Sequence, residues 1–427
     1  MSFLSKSFSG ISKGDNQKNS DDYILALDIG TEYVKALIAK KGRGHDLEIV
    51  GVGRTHQRDG NIFGGAIANI PNVVRICEDA LIKAEDMAGV RARDVVVGIA
   101  GELIKGNTST IKYRRSDASK SISEDEMHYI IEKVQERAGE QARRQVALES
   151  NNPEVEVRLI NSALVSIRID GYKVTNPVGF KGKDVSVQLY TAYAPLVHLS
   201  AIERVCDELS LDLITVAVEP FAVCRACLGD DIDSDFSSIV MDIGGGTTDV
   251  ALINNSGVEG TKMFGIGGRA FTHQIAKECG VSFADAEKLK LLVEDPKMKT
   301  RVRQKIQDAI QRNLNVWISG VELAIDDFKQ IEALPDQILL CGGGASLSDI
   351  PELLATGDWY EELAFTRRPV IQLIEPDDVP GITNGTDYDL DHSFITAMGL
   401  LRVGVDTLIG VGDDKSFRAK LAKLLQN

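Results

Sequence analysis

The sequence predicts a two-lobed α/β protein with a small α+β module inserted in its first lobe, and three observations lead there. A strand, acidic turn and second strand occur twice, as Tyr23-Ile-Leu-Ala-Leu-Asp-Ile-Gly-Thr-Glu-Tyr-Val-Lys-Ala-Leu-Ile38 and as Ser238-Ile-Val-Met-Asp-Ile-Gly-Gly-Gly-Thr-Thr-Asp-Val-Ala-Leu-Ile253. Around the first copy, strands alternate with helical periodicity, as a layered α/β core requires. Between that alternation and the next core strands lies a segment of different character, 105–192, with one long helix and short alternating strands.

In each copy an apolar run, Ile24 to Leu27 or Ile239 to Met241, reads as a buried strand that delivers an aspartate, Asp28 or Asp242, to a tight turn. Gly30 follows in the first turn, and Gly244, Gly245 and Gly246 in the second. Without side chains, they let backbone N–H groups approach phosphate oxygens closely, and Thr31, Thr247 and Thr248 can add hydroxyl donors. One copy alone is equally well an ordinary Gly-rich hairpin. Two copies, with the same acid and the same resumption of strand, predict jaws on a polyphosphate, with Asp28 and Asp242 holding a magnesium ion through water. A P-loop does not fit, because no Gly-Lys-Ser/Thr follows either glycine cluster and strand, not helix, follows each turn. The duplicated hairpin is similar to the phosphate motifs of the actin, sugar-kinase and heat-shock-chaperone ATPase superfamily, which implies ATP as the nucleotide.

The 427 residues suffice for two or more domains, and 26% charged with 43% hydrophobic residues are ordinary for a soluble protein. A formal charge of −15 argues against nucleic acid as a partner. Six scattered cysteines suit reduced thiols; Cys224-Arg-Ala-Cys227 lies in an apolar helical run without a second pair, which favours burial over redox chemistry. The histidines are too dispersed for a metal site. No apolar run reaches the length of a membrane span, and the start lacks a signal-like hydrophobic core.

Residues 1–22, rich in Ser, Lys, Gly and Asn, read as a flexible tail. After the first hairpin, Leu47 to Gly53 continues the sheet, Val73, Ile76, Cys77, Ala80, Leu81 and Ala84 define a helix, and Val95 to Ala100 the next buried strand. In the inserted segment, Ser121-Ile-Ser-Glu-Asp-Glu126 carries cap and first-turn acid signals for a helix through Ile130, Ile131 and Val134. Strands follow at Arg158 to Arg168 and Asp184 to Tyr190, with a turn at Asn176-Pro-Val-Gly179.

Val97-Gly-Ile-Ala-Gly101, the inserted segment with its Asn176-Pro-Val-Gly179, the Asp242 hairpin and Leu340-Cys-Gly-Gly-Gly-Ala345, in this order, resemble the bacterial FtsA family of actin-like division proteins over most of residues 23 to 404. The pilus-assembly protein PilM shares this arrangement. The resemblance implies the actin-like (ribonuclease-H-like) ATPase fold, with first-lobe core over 23–104 and 193–220 and an extra subdomain, 1C, over 105–192. It further implies second-lobe core over 221–269 and 335–408 and an accessory subdomain over 270–334.

Family likeness also supplies roles. Glu219, where the strand Leu213 to Val218 ends, would orient or deprotonate the attacking water; from spacing alone it could equally cap the following helix. Phe264-Gly-Ile-Gly-Gly-Arg-Ala270 loosely matches a dinucleotide fingerprint but lacks a βαβ setting. In the superfamily, such glycines, here Gly267 and Gly268, let the next helix start close to the nucleotide. Glu287 and Lys290 share a helix face and in relatives such a pair reaches ribose and purine, although spacing leaves a solvent-facing ion pair open. The basic run Lys297 to Arg303 reads as a solvated helix face. Gly342, Gly343 and Gly344 at a strand-to-helix corner would let adenine or ribose lie against bare backbone. Ile395 to Leu401 resembles the helix closing the hinge between lobes.

At the end of the sequence, a link over 409–414 precedes 415–427, where Phe417, Leu421, Leu424 and Leu425 form one apolar stripe. Lys415, Arg418, Lys420 and Lys423 lie away from the stripe's centre, so the segment reads as a basic amphipathic helix able to lie on anionic lipid. FtsA proteins end in a similar membrane-targeting helix. By resemblance, then, the chain is expected to bind ATP with Mg2+, self-associate into filaments, and tether FtsZ to the inner face of the cytoplasmic membrane at the division site, with later division proteins as further partners and hydrolysis, if any, slow. A PilM-like pilus scaffold is the alternative. A small-molecule kinase would need a second cleft with its own aspartate, for which no candidate stands out.

Overall fold

A computed structural model describes residues 22–229, 235–328 and 331–411. The expected tail, apart from Asp22, and the expected amphipathic helix at 415–427 lie outside the described residues.

The first lobe opens with β1 (Tyr23–Ile29), β2 (Tyr33–Lys41) and β3 (Leu47–His56), joined antiparallel. Every residue of β1 is buried, because it lies between β2 and the parallel strand β6 (Asp94–Ile99). The short hairpin β4 (Ile62–Phe63) and β5 (Ala66–Ile67) leads to α1 (Ile70–Ala88), which Asn69 caps by accepting from the Asn72 N–H and which ends at Gly89 in the left-handed region. Its buried face is the expected one, Val73, Ile76, Cys77, Ala80, Leu81 and Ala84. The helix lies directly on β3 because Gly51 and Gly53 carry no side chain: a Cβ at Gly53 would fall 1.8 Å from the Ala80 carbonyl oxygen. β6 (Asp94–Ile99) completes the first half of the sheet.

The inserted segment forms β7 (Lys105–Arg114), α2 (Glu124–Glu149), β8 (Val157–Ile169), β9 (Tyr172–Val174) and β10 (Asp184–Pro195). Ser123 caps α2 through the Glu126 N–H, and Glu124, Asp125 and Glu126 sit in its first turn, where acids favour the helix N-terminus. Met127, Ile130, Ile131 and Val134 pack against Ile167, Ile169, Val185, Val187 and Leu189, giving the module its own core. Chain then returns to the first lobe through α3 (Leu196–Glu208), β11 (Asp212–Val218) and α4 (Glu219–Leu228).

The second lobe contains β12 (Ser238–Ile243), β13 (Thr248–Asn254), β14 (Gly257–Phe264), α5 (Gly268–Cys279), α6 (Phe283–Leu291), α7 (Thr300–Asp326), β15 (Gln337–Cys341), α8 (Asp349–Thr356) and β16 (Val370–Leu373). Ile239, Met241, Phe271, Ile310, Trp317 and Leu340 belong to its core. β17 (Ile382–Asn384) and α9 (Ile395–Val411) then return to the first lobe: β17 pairs parallel with β3, and α9 packs across β1 and α4. Gly399 allows the α4–α9 approach, since a Cβ there would lie 2.1 Å from the Ala222 carbonyl oxygen. α9 continues to Val411, so the expected link at 409–414 is helical over its first three residues.

Two sheets carry the architecture. The first has the order β11-β6-β1-β2-β3-β17, and the second β16-β15-β12-β13-β14-β7-β10-β8-β9. The inserted module, reached from the first lobe in sequence, therefore extends the sheet of the second. The seam is narrow: Gly260 faces Asn107 and Thr261 faces Gly106. Side chains reinforce it, with the Thr108 hydroxyl donating to the Val258 carbonyl at 2.7 Å, Gln188 donating to Glu259 at 3.0 Å, and buried Tyr190 Oη 3.1 Å from Thr261 Oγ1. A Cβ at Gly106 would fall 2.1 Å from Thr261 Oγ1 and 2.5 Å from Tyr190 Oη. Gly106→Val is therefore expected to part β7 from β14 and destabilise the protein by about 2–3 kcal/mol, through overpacking and the lost hydrogen bonds. Denaturant unfolding checks the loss, and faster amide exchange confined to 105–110 and 257–262 checks its location.

Candidate functional site

The two acidic turns meet. Gly30 N–H donates to the Tyr33 carbonyl at 3.1 Å and Gly244 N–H to the Thr247 carbonyl at 2.9 Å, so the same tight turn is built twice. They approach too closely for side chains: a Cβ at Gly245 would lie 2.8 Å from Glu32 Cβ, and one at Gly246 2.8 Å from Thr31 Oγ1. The start of α5 packs beneath the second turn, with Gly268 N–H donating to Gly244 O at 2.9 Å and Arg269 N–H to Gly245 O at 2.8 Å. Between the lobes this leaves a cavity of about 510 Å³, in the range of small-molecule sites.

Asp28, Gly30, Thr31, Glu219, Asp242, Gly244, Gly245, Thr247, Gly268, Glu287, Lys290, Gly342, Gly343 and Gly344 all line that cavity. Three expected residues do not. Thr248 is a correction: its hydroxyl donates to the Ile266 carbonyl at 2.7 Å and accepts from Trp317 Nε1 at 2.9 Å, because the residue after Thr247 in an extended strand points to the opposite face, into the core. Gly246 packs on Thr31, and Gly267 lies against the carbonyls of Gly244 and Gly245, so both act by allowing close approach.

Strand register places the charges. Opposite Asp28 on β2 stands Lys35, with Nζ 2.8 Å from Oδ2. At the matching place in the second hairpin, Asp242 faces Asp249. Glu219 begins α4 beside Gly98, and no side-chain cap is made at that helix start, so the capping alternative has no support. Asp28, Glu219, Asp242 and Asp249 are all buried. Burial, then the neighbouring Asp28, Asp249 and Asp242, push Glu219 well above the usual carboxylate range. Burial and Asp242 do the same to Asp249, and burial raises Asp242 against the hydrogen bond it accepts from Thr396. Burial works against the Lys35 ammonium, but the charge and hydrogen bond of Asp28 outweigh it and hold its pKa above the ordinary value.

Asp249 Oδ1 is buried without a hydrogen-bond partner, and the Thr247 hydroxyl reaches its other oxygen only at 3.5 Å. An orphaned buried carboxylate oxygen suits a water ligand of a hydrated cation, although among the described residues no three carboxylate, imidazole or thiol side chains are grouped so as to hold a metal ion directly. Gly342, at φ 83°, closes the site from below, since a Cβ there would collide with Asp242 Oδ1 at 2.1 Å. On the far wall, Lys290 Nζ pairs with Glu287 Oε2 at 2.8 Å and donates to Gly268 O at 3.1 Å and Thr272 Oγ1 at 2.8 Å, which leaves both side chains facing the cavity from α6.

Lys35, Asp249 and Thr396 were not singled out from sequence, although each lies in a stretch that was. Lys35 and Asp249 were available from hairpin register, counted outward from each turn. Thr396 had no local signal, because it reaches Asp242 across 154 positions.

This cleft and its paired sheets define a two-lobed protein of the actin-like fold. A solved PilM–PilN type IV pilus biogenesis complex superposes with a TM-score of 0.64 at 18% identity, over 90% of this chain and 98% of that one. The family model for cell division protein FtsA matches residues 239–397, which span the second acidic hairpin, α5 to α7 and the Gly342 corner. Cell division protein FtsA of Pseudomonas aeruginosa is 25% identical over 407 residues, 90% of each chain, and that of Neisseria meningitidis 27% identical over 352 residues, 77% of this chain and 80% of its own. That of Bacillus subtilis is 24% identical over 358 residues, 78% of this chain and 76% of its own. The chain is thus similar to bacterial FtsA proteins over most of its length.

Carboxyls with raised pKa keep protons in the folded protein that the unfolded chain has released. Their contribution to stability is therefore fully present below the ordinary carboxylate range, about pH 4, and is lost as pH rises through the raised values. Asp249→Asn removes one such group and is expected to stabilise the ligand-free protein by roughly 1–2 kcal/mol at neutral pH, with the gap to wild type widening from about pH 4 upward. Thermal unfolding across that range measures it.

Proposed function

We propose that this protein is an actin-like, ATP-binding cell-division protein that polymerises and tethers FtsZ filaments to the cytoplasmic membrane through a C-terminal amphipathic helix. The observation that carries the nucleotide reading is the closure of two matching acidic turns, 214 positions apart from Asp28 to Asp242, over one cavity. The division reading rests on the FtsA relatives, and the membrane reading on the apolar stripe of Phe417, Leu421, Leu424 and Leu425.

In this reading, Asp28 and Asp242, with Asp249 beside them, hold magnesium through water. Magnesium held there would offset the charge of Asp242 and Asp249, which lack the direct lysine partner that Asp28 has. Turn N–H groups and the Thr31 and Thr247 hydroxyls bind phosphate oxygens, with Lys35 as the cation nearest Asp28. Glu287, Lys290 and the bare backbone at Gly342, Gly343 and Gly344 receive the nucleoside. Glu219 orients water, and its raised pKa makes it a better proton acceptor once ionised than an ordinary carboxylate. Among the described residues no helix is long and apolar enough to cross a membrane, so attachment falls to the terminal segment, with avidity along a filament strengthening a weak single contact. The division-site part of this reading rests on the division-protein relatives, and the cytoplasmic face is part of the proposal.

The PilM superposition favours a second reading, an ATP-binding scaffold of pilus assembly. Sedimentation with anionic liposomes separates them: FtsZ is expected to pellet only with this protein present, and deletion of 415–427 is expected to abolish pelleting. Undiminished binding of the truncated chain would refute the anchor, and an indifferent FtsZ would turn the case toward the pilus reading. For the site itself, Asp28→Ala or Asp242→Ala is expected to weaken Mg-ATP binding by about 100-fold or more, since each leaves the metal half-held. Glu219→Ala is expected to leave binding within a few-fold while lowering any turnover by roughly 100-fold. Fluorescent-nucleotide titration and phosphate release read the two.

A further inference from the structure

The mouth of the cleft is crossed by a charged contact that neither hairpin motif requires. Arg269 lies in the first turn of α5, and its N–H donates to Gly245 O, which ties the root of its side chain to the second acidic turn. From there the guanidinium spans the gap to the first lobe: Nη1 lies 3.2 Å from Glu32 Oε2, and Nη2 pairs with Asp59. Its carbon sits 4.8 Å from the centre of the Phe283 ring, so the fork is held by stacking as well as by charge. Glu32 is fixed as firmly, with Oε1 2.8 Å from His56 Nε2 and its carbonyl accepting the Gln57 N–H at 2.8 Å. Side-chain exposure is 16% for Arg269 and 21% for Glu32, and both line the cavity.

We infer that Arg269, with Glu32 and Asp59, is an ionic latch between the lobes that sets how fast nucleotide enters and leaves; the inference rests on the nucleotide reading above. A ligand enclosed between two lobes leaves only when the mouth widens, and widening here separates an arginine from two carboxylates. The neighbouring contacts between turns, Gly245 on Glu32 and Gly246 on Thr31, are van der Waals contacts that yield with distance. A partly buried, preorganised arginine–carboxylate pair resists separation more strongly and acts chiefly on rates of opening. Because the latch closes the cleft whether or not it is filled, removing it speeds entry and release together. An Arg269 that simply held phosphate would behave differently: its loss would speed release, leave entry unchanged and weaken affinity in proportion.

Stopped-flow binding of a fluorescent ATP analogue with magnesium to the full-length protein tests this with Arg269→Ala, Glu32→Gln, Asp59→Asn and the exchanged pair Arg269→Glu with Glu32→Arg. Arg269→Ala and Glu32→Gln are expected to raise both rate constants by about tenfold with affinity held within a few-fold, and the exchanged pair to return both toward wild type. Unchanged rates, or faster release alone with affinity lost, would overturn the latch while leaving the nucleotide reading intact. Should the wild-type chain bind no nucleotide, that reading fails, and hydrogen exchange of the ligand-free protein decides the latch by itself. Arg269→Ala is expected to speed exchange at 28–33 and 244–250 with 127–134 unchanged, and equal exchange at all three would overturn it.

Discussion

Four buried carboxylates around a single ammonium impose the constraint on which the cleft depends. Asp28, Glu219, Asp242 and Asp249 lie in a setting where each ionised neighbour disfavours the next, and Lys35 pairs directly with only one of them. Such a group persists only if the backbone carrying it cannot relax, or if protons or a cation relieve it. The backbone is accordingly unyielding: Asp28 and Asp242 are each the penultimate residue of a strand buried at every position. Gly342 leaves no room for a Cβ beside Asp242, and Thr396 donates to that carboxylate from α9.

Both lobes solve the same local problem with different side chains. Each turns a buried strand back on itself after an aspartate, and each places a titratable residue directly opposite, lysine in the first hairpin and aspartate in the second. The asymmetry leaves the two acids of the second hairpin without the direct cationic partner that Asp28 has. α4 and α9 cross at Gly399, and both reach the acids: α4 begins with Glu219, and α9 carries Thr396.

Most of the site was legible because its determinants are local. The turn chemistry of Gly30 and Gly244 to Gly246, the helix face from Val73 to Ala84 and the cap at Ser123 are each written within a few residues. Thr248 was misread because composition alone does not say which face of a strand a residue takes; alternation from Thr247 would have turned it inward. What stayed hidden depends on distant partners. β17 joins β3 and β7 joins β14 through backbone groups that any sequence possesses, so no residue type announces the pairing. Arg269 and Glu32 are unremarkable charges until folding sets them 3.2 Å apart.

The shared sheet has a mechanical corollary. A nine-stranded ladder that begins at β16 and ends at β9 joins the module to the second lobe, although the chain enters and leaves it from the first. Load applied at β9 runs across the strands, so it peels hydrogen bonds one after another instead of shearing them together. The weakest rung is at Gly106 and Thr261, where two residue pairs hold what β10 and β7 hold with ten. Under tension the module would detach there first, taking its own core with it intact.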